Sequence, residues 1–253
     1  MKKIFEPKRL PLLTAVLAGM ALVLRTLLYL VAVDKRGLLI SGHPLNLALY
    51  GLTVAAMVYL LVTVWKLDGS AAYEDNFAPS RNAMLGHFAA AAGVAVTVLT
   101  RYPLMDGYLG QLWQWLGYLT PVCLLLSGID RGQGRQPFFL LHMIPSLFFV
   151  FHIVNHYQVW SGDPQLQDYG FALLGGMALA LFAYYTAGFD VGMGRRRIQL
   201  FMAMAAVYLL AAELATTGYP WLLLGGIVWA MTDICTLTPK PKPEPEEREE
   251  KET

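Results

Sequence analysis

The chain has 253 residues, of which 56% are hydrophobic and 15% are charged, and its mean hydropathy is +0.47. A soluble domain carries roughly 25% charged residues, so this composition excludes an ordinary soluble protein. A net charge of +1 argues against a nucleic-acid partner, and two cysteines are too few for a disulfide framework. We therefore expect an integral protein of the plasma membrane, with the lipid bilayer as its first partner.

Eight apolar runs are long enough to be membrane-spanning helices. In chain order they cover residues 11–33, 43–65, 83–100, 108–129, 137–158, 165–188, 197–216 and 219–236. Residues 1–10 are basic, and the run that follows them is longer than the apolar region of a signal peptide, so we expect a retained span. The proline-rich, charged residues 239–253 are predicted to form a disordered tail, because they cannot bury apolar surface. The sequence thus predicts an all-α polytopic membrane protein with eight transmembrane helices.

The basic residues indicate how these helices are oriented. Fifteen of the 19 Lys and Arg residues fall on one side of the predicted membrane, together with both termini, and three fall on the other side. The side that carries the excess of Lys and Arg is normally cytoplasmic. We therefore expect both termini to be cytoplasmic, which requires an even number of spans.

A short segment occurs twice in the chain. Ser41 to Gly51 reads SGHPLNLALYG, and Ser161 to Gly170 reads SGDPQLQDYG. The spans that follow these segments are four helices apart and run in the same direction, which predicts a parallel 4+4 internal repeat of residues 11–129 and 130–238. The alternative is that the two segments are alike only because both start a helix, since Asp163 and Pro164 suit the first positions of any helix.

Ionisable residues inside a membrane are costly and therefore mark candidate functional sites. Arg25 and Glu213 lie at comparable depths in the first and seventh spans, and we expect them to form a buried ion pair; packing alone is the alternative role for such a pair. Most of the polar groups lie in the outer half of the membrane, which predicts a pocket that opens outward. The proposed lining of this pocket is Arg25, His43, Asn46, His152, Asp163, Asp168 and Glu213.

The first interpretation of the pocket is transporter-like or receptor-like binding of a small polar solute or a lipid headgroup. The charged groups would hold an ionic ligand, and His152 would couple binding to protons. This interpretation needs no cofactor. The chain contains no nucleotide-binding or hydrolase fingerprint, so the sequence favours a protein that is not an enzyme. A structural or assembly subunit is an alternative.

A metal-dependent intramembrane hydrolase is a second alternative. His152 and His156 are one helical turn apart and could hold zinc together with Asp163 or Asp168. The segment FFVFHIVNH resembles part of the intramembrane CAAX-type proteases. The paired glutamates of that family are missing from the spans of this chain, so the sequence favours no metal site.

A b-type cytochrome is the last alternative. His142 and His156 lie 14 residues apart on one predicted helix, which corresponds to about 21 Å at 1.5 Å per residue. His87 matches the depth of His142, and His43 matches the depth of His156. Each of these two pairs would then ligate one haem.

The second copy of the repeated segment also carries a family resemblance. Trp160 to Tyr169 contains the pattern W-S-x-D-P followed by D-Y. With this pattern the chain resembles uncharacterised multi-span membrane proteins of anaerobic Gram-positive bacteria over most of its length. The resemblance implies a multi-pass protein of a bacterial cell membrane, and it implies no activity.

Overall fold

A computed structural model describes residues 9–33, 39–40, 42–67, 71–100, 107–160 and 169–236. Residues 1–8 and the predicted tail, residues 239–253, lie outside these ranges. The described helices are, in chain order, α1 (Leu10–Val31), α2 (Pro44–Trp65), α3 (Tyr73–Asn76), α4 (Arg81–Thr100), α5 (Tyr108–Gln133), α6 (Leu140–Trp160), α7 (Gly170–Asp190), α8 (Arg196–Glu213) and α9 (Pro220–Thr236). The predicted all-α fold is confirmed.

Six helices, α1, α2 and α4 to α7, are long and apolar enough to cross a membrane. A span needs about 20 apolar residues at 1.5 Å of rise per residue. α8 has 18 residues and includes Arg196, Arg197 and Glu213, and α9 is an apolar helix of 17 residues. The six apolar helices indicate a multi-pass membrane protein in a lipid bilayer.

The eight long helices each overlap one predicted span. α2 begins at Pro44, next to the predicted start, and the His43 side chain caps it by accepting a hydrogen bond from the backbone N–H of Leu45. α7 begins at Gly170 with Tyr169 as its N-cap, so the predicted start at residue 165 is wrong. Residues 161–168 lie outside the described residues, and the 4+4 repeat stays a prediction.

The helices from α4 to α9 form a closed ring. Each of them packs against the next helix in the chain, and α9 packs against α4. α1 packs mainly against α8, and α2 packs against α8 and α1. α8 is therefore the central helix, and fourteen of its 18 residues are buried.

Glycines allow α4 and α9 to lie close together. A Cβ atom at Gly93 would lie 2.3 Å from the backbone oxygen of Trp221, and one at Gly225 would lie 2.8 Å from the backbone oxygen of Ala89. Membrane helices use small residues at such contacts because packing, and not the hydrophobic effect, drives their association. These two glycines therefore set the distance between the two helices that close the ring.

One end of the ring carries most of the basic residues. At this end, which we call the basic end, α5, α7 and α9 finish and α4, α6 and α8 begin. The short helix α3 covers it. Tyr73 and Phe77 are buried, and the Phe77 ring packs edge-on against Phe189 with the ring centroids 5.0 Å apart. The connection between α2 and α4 is thus part of the packed fold, which the sequence did not predict.

Candidate functional site

A cavity of about 100 Å³ lies between α6, α7, α8 and α9, near the end opposite the basic end. Its wall is mostly apolar and includes Phe149, Ile153, Ala172, Leu179, Leu210, Leu222 and Leu223. Its polar groups are His152, Tyr169, Glu213, Thr216, Thr217 and Tyr219. An apolar wall with a few polar groups is typical of sites for small molecules. We call this space the outer cavity.

Glu213, at the end of α8, is the charged group of the outer cavity. Its Oε2 atom lies 3.9 Å from Nη2 of Arg25 on α1, and the two side chains are 7% and 1% exposed. The Thr216 hydroxyl donates a hydrogen bond of 3.3 Å to Oε1 of Glu213, and the Arg25 guanidinium lies 4.7 Å from the centroid of the Phe171 ring. The predicted Arg25–Glu213 pair is confirmed, and its two charges cancel.

His152, on α6, supplies a hydrogen-bond donor to the outer cavity. The Trp113 indole N–H donates to Nδ1 of His152 over 3.3 Å. A neutral imidazole protonates only one nitrogen, so neutral His152 carries its proton on Nε2. The Tyr219 ring packs edge-on against His152 with the centroids 5.5 Å apart. These contacts fix both the orientation and the tautomer of the ring.

The His156 ring packs against the His152 ring at a tilt of 45°, with ring centroids 4.0 Å apart. Its Nδ1 atom donates to the backbone carbonyl of His152 over 2.7 Å. Asp163 and Asp168, which the sequence proposed as partners for a metal, lie outside the described residues. Within the described ranges no group of three or more His, Cys, Asp or Glu side chains could hold a metal ion. A zinc site therefore stays only an alternative.

Two other predicted residues, His43 and Asn46, are not among the residues that line the outer cavity. His43 caps α2, and Asn46 lies in the first turn of the same helix. Of the predicted set, His152 and Glu213 line the outer cavity, whereas Arg25 is not a lining residue and contacts the site through its ion pair with Glu213. The structure adds Thr216 and Tyr219 from the connection between α8 and α9, where the polar stretch TTGYP between two apolar runs is the signal in the sequence.

A second buried polar cluster lies at the basic end and joins four helices. Nδ1 of His142 on α6 lies 2.6 Å from Oδ2 of Asp190, the last residue of α7. Nε2 of His142 lies 3.4 Å from Nε2 of His87 on α4. The indole N–H of Trp229 on α9 donates to the same His87 nitrogen over 3.1 Å. All four side chains are buried, and we call this group the histidine cluster.

An ion pair lies beside the histidine cluster. Nη2 of Arg131, in the last turn of α5, lies 3.8 Å from Oδ1 of Asp233 on α9 and donates to the Thr236 hydroxyl over 3.4 Å. The guanidinium also lies 3.9 Å from the centroid of the Phe77 ring. Burial raises the pKa of Tyr73 in the covering helix α3, which keeps its side chain a neutral phenol. The basic end therefore buries two carboxylates, two imidazoles and the guanidinium groups of Arg131 and Arg196.

The sequence proposed His87 and His142 only as haem ligands. In the structure their Nε2 atoms are in direct contact, so a haem iron between them would require the two rings to separate. Asp190 was missed because the predicted span ended at residue 188, two residues before it. The available signal was an acidic residue at the end of a span, at the same depth as a histidine in the preceding span.

Comparison with known proteins adds no assignment. No family model, curated protein or solved structure matches the chain. The resemblance to multi-span proteins of anaerobic Gram-positive bacteria stays a prediction. The outer cavity and the histidine cluster are therefore interpreted from their own chemistry.

Proposed function

We propose that the protein binds a small polar solute in the outer cavity and acts as a transporter-like or receptor-like membrane protein. The main support is that Glu213 and His152, from two different helices, line one mostly apolar cavity. Buried polar groups inside a membrane are costly, so their convergence on a cavity favours a ligand that uses them. A structural or assembly subunit would not need such a cavity.

The charges around the outer cavity favour a solute without net charge. Arg25 and Glu213 compensate each other, so a ligand with a net charge would leave one charge uncompensated inside the protein. Glu213 offers an acceptor, and neutral His152 offers an N–H donor. We therefore expect a small molecule with both a donor and an acceptor, such as a carboxamide or a zwitterion, and not the ionic ligand that the sequence suggested.

We also propose that all eight long helices span the membrane of a bacterial cell, with both termini in the cytoplasm. α8 is surrounded by α1, α2, α7 and α9, so its charged residues at the two ends need not contact lipid. A parallel 4+4 repeat is part of this proposal, and its support is the repeated S-G-x-P segment that precedes the second and sixth of the long helices in the sequence.

Thermal unfolding of the detergent-purified full chain tests solute binding. Acetamide and glycine probe uncharged and zwitterionic solutes, and acetate and methylammonium probe the two charges. A solute that binds only the folded state stabilises it by about 2.7 kcal/mol at a hundred times its Kd. We expect a saturable rise in Tm with acetamide or glycine and none with the two ions.

Two matched variants separate binding in the cavity from a general solvent effect. Ala172→Trp places a large ring in the outer cavity, whereas Ala55→Trp places the same ring on an exposed position of α2. We expect Ala172→Trp to abolish the solute-dependent rise in Tm and Ala55→Trp to retain it. The proposal fails if neither uncharged solute raises Tm, or if the rise is the same in both variants.

A further inference from the structure

The hydrogen bonds of the histidine cluster determine where its protons lie, beginning with His87. Its Nδ1 atom lies 2.8 Å from the backbone oxygen of Ala83, which can only accept, so this nitrogen carries a proton. The indole N–H of Trp229 donates to the other ring nitrogen, Nε2, which must therefore be unprotonated. His87 is thus a neutral imidazole whose lone pair is on Nε2.

His142 presents its own Nε2 atom to that lone pair at 3.4 Å. Two unprotonated nitrogens in contact inside a buried site would repel each other, so Nε2 of His142 carries a proton. Nδ1 of His142 lies 2.6 Å from Oδ2 of Asp190, which is the distance of a strong, charge-assisted hydrogen bond with a second proton between the two atoms. The His142–Asp190 pair therefore holds two protons, one more than a neutral imidazole beside a carboxylate.

This additional proton balances the negative charge of Asp190 within the His142–Asp190 pair. The groups that interact electrostatically with the pair are Tyr73 on α3, His87 on α4 and Asp233 on α9. Arg131 on α5 interacts with His87 and Asp233, and Arg196 is buried at the start of α8. Arg131 compensates Asp233, and the proton on the pair compensates Asp190. Loss of the proton would leave Asp190 without the positive charge that lies in direct contact with it, which is costly in a buried site.

We propose that His142 and Asp190 form a proton-binding site, and that the protein takes up and releases one proton there as it functions. On release, the N–H bond of His142 breaks, the electron pair stays on the ring and the proton leaves to solvent at the basic end. Chains of His and Asp residues serve this purpose in membrane pumps and transporters. His142 and His152 are ten residues apart on α6, about 15 Å, so the proton site is separate from the outer cavity.

The carboxylates of Asp190 and Asp233 offer further atoms to which the proton can bind. Oδ1 of Asp190 and both carboxylate oxygens of Asp233 are buried and accept no hydrogen bond from the described part of the chain. Such acceptors are costly unless a proton or a donor reaches them. They therefore fit a cluster in which a proton moves between His142 and two neighbouring carboxylates.

A metal ion between the two histidines is the competing explanation. In both rings the Nδ1 atom donates to a carboxylate or a backbone carbonyl, as it commonly does in metal-bound histidines. Trp229, however, donates to Nε2 of His87, and a metal at this nitrogen would have to displace that hydrogen bond, whereas an N–H of His142 can share the same acceptor. A proton on His142 satisfies every one of these contacts.

Nitrogen NMR of the full chain, labelled with ¹⁵N-histidine in lipid nanodiscs, tests the proposal. The chain has five histidines, so single His→Gln variants assign every signal. An unprotonated ring nitrogen resonates far downfield of a protonated one. At a pH about one unit above the ordinary histidine pKa of about 6.5, we expect two protonated nitrogens for His142 and one unprotonated nitrogen for His87.

Asp190→Asn removes the charge that holds the second proton, while Asp130→Asn at the same end is the matched control. We expect His142 to gain an unprotonated, downfield nitrogen in Asp190→Asn and to be unchanged in Asp130→Asn. One downfield His142 nitrogen in the wild type would overturn the proposal. The wild-type spectrum therefore tests the proposal even if Asp190→Asn does not fold. Signals that change on addition of a chelator would also overturn it, in favour of a metal. The spectra need no solute, so they are independent of binding in the outer cavity.

Discussion

Arg25 on α1 and Glu213 on α8 lie 3.9 Å apart, with both side chains buried. The pair joins a helix outside the ring to the central helix. It also neutralises the carboxylate that lines the outer cavity, because a buried charge requires a nearby charge of opposite sign. The contact therefore contributes both to the packing of α1 and to the chemistry of the cavity.

Arg25→Ala is expected to destabilise the protein by about 3–5 kcal/mol, because it leaves the Glu213 carboxylate buried without its counter-charge. The double variant Arg25→Met/Glu213→Gln removes both charges and is expected to cost much less than the sum of the single substitutions Arg25→Met and Glu213→Gln. Denaturant titration in mixed micelles measures the free energy of unfolding of each variant.

Arg135→Ala is the control for this cycle, because Arg135 is exposed at the basic end. Its effect is expected to stay within about 0.5 kcal/mol. If the costs of the two substitutions at Arg25 and Glu213 simply add, the two charges are not coupled, and the ion pair does not stabilise the fold.

The Arg25–Glu213 pair could be predicted because the apolar runs of the sequence contain few charged residues that could be partners. Arg25 is a charged residue well inside an apolar run, and Glu213 is an acidic residue at a comparable depth. Desolvation makes such residues pair, so depth alone identified the partner. The eight helices were predicted for a similar reason, since a bilayer demands long apolar runs.

The histidine cluster could not be predicted in the same way. His87, His142 and Asp190 lie on three helices, and their contact depends on the order in which the helices pack, which hydropathy does not encode. Phe77 illustrates the same limit, because a connection that contains charged and turn-forming residues resembles a solvated loop. Its aromatic contact with Phe189 becomes evident only once α7 packs next to α6 and the ring of helices is closed.

Gly93→Ala is expected to destabilise the protein by about 1–3 kcal/mol, because the added methyl group would overpack the contact with the Trp221 backbone. Gly51→Ala on α2 is the control, since nothing lies within 4 Å of a Cβ atom there. The control should be neutral or slightly stabilising, because alanine favours a helix over glycine. Thermal unfolding in detergent compares them, and an equal Tm for the two variants would show that α4 and α9 are not held by this close contact.

Phe77→Ala is expected to release the connection that covers the basic end. The ring is buried between Arg131 and Phe189, and replacing a buried phenylalanine by alanine costs about 3–5 kcal/mol. Limited proteolysis between α2 and α4 measures the effect, and we expect much faster cleavage than in the wild type. Glu74→Ala, at an exposed position of α3, should leave the cleavage rate unchanged. Equal rates in both variants would mean that Phe77 does not anchor this connection.

The orientation of the protein can be measured with single cysteines in a background in which Cys123 and Cys235 are replaced by serine. Tyr108 is 87% exposed at the start of α5, and Arg135 is exposed just after its end, so one span separates the two positions. Because the basic end is expected to be cytoplasmic, a membrane-impermeant maleimide should label Tyr108→Cys in intact cells and label Arg135→Cys only after permeabilisation. Labelling of Arg135→Cys alone from outside would reverse the orientation. Labelling of both positions from outside would show that α5 does not cross the membrane, and eight spans would then be wrong.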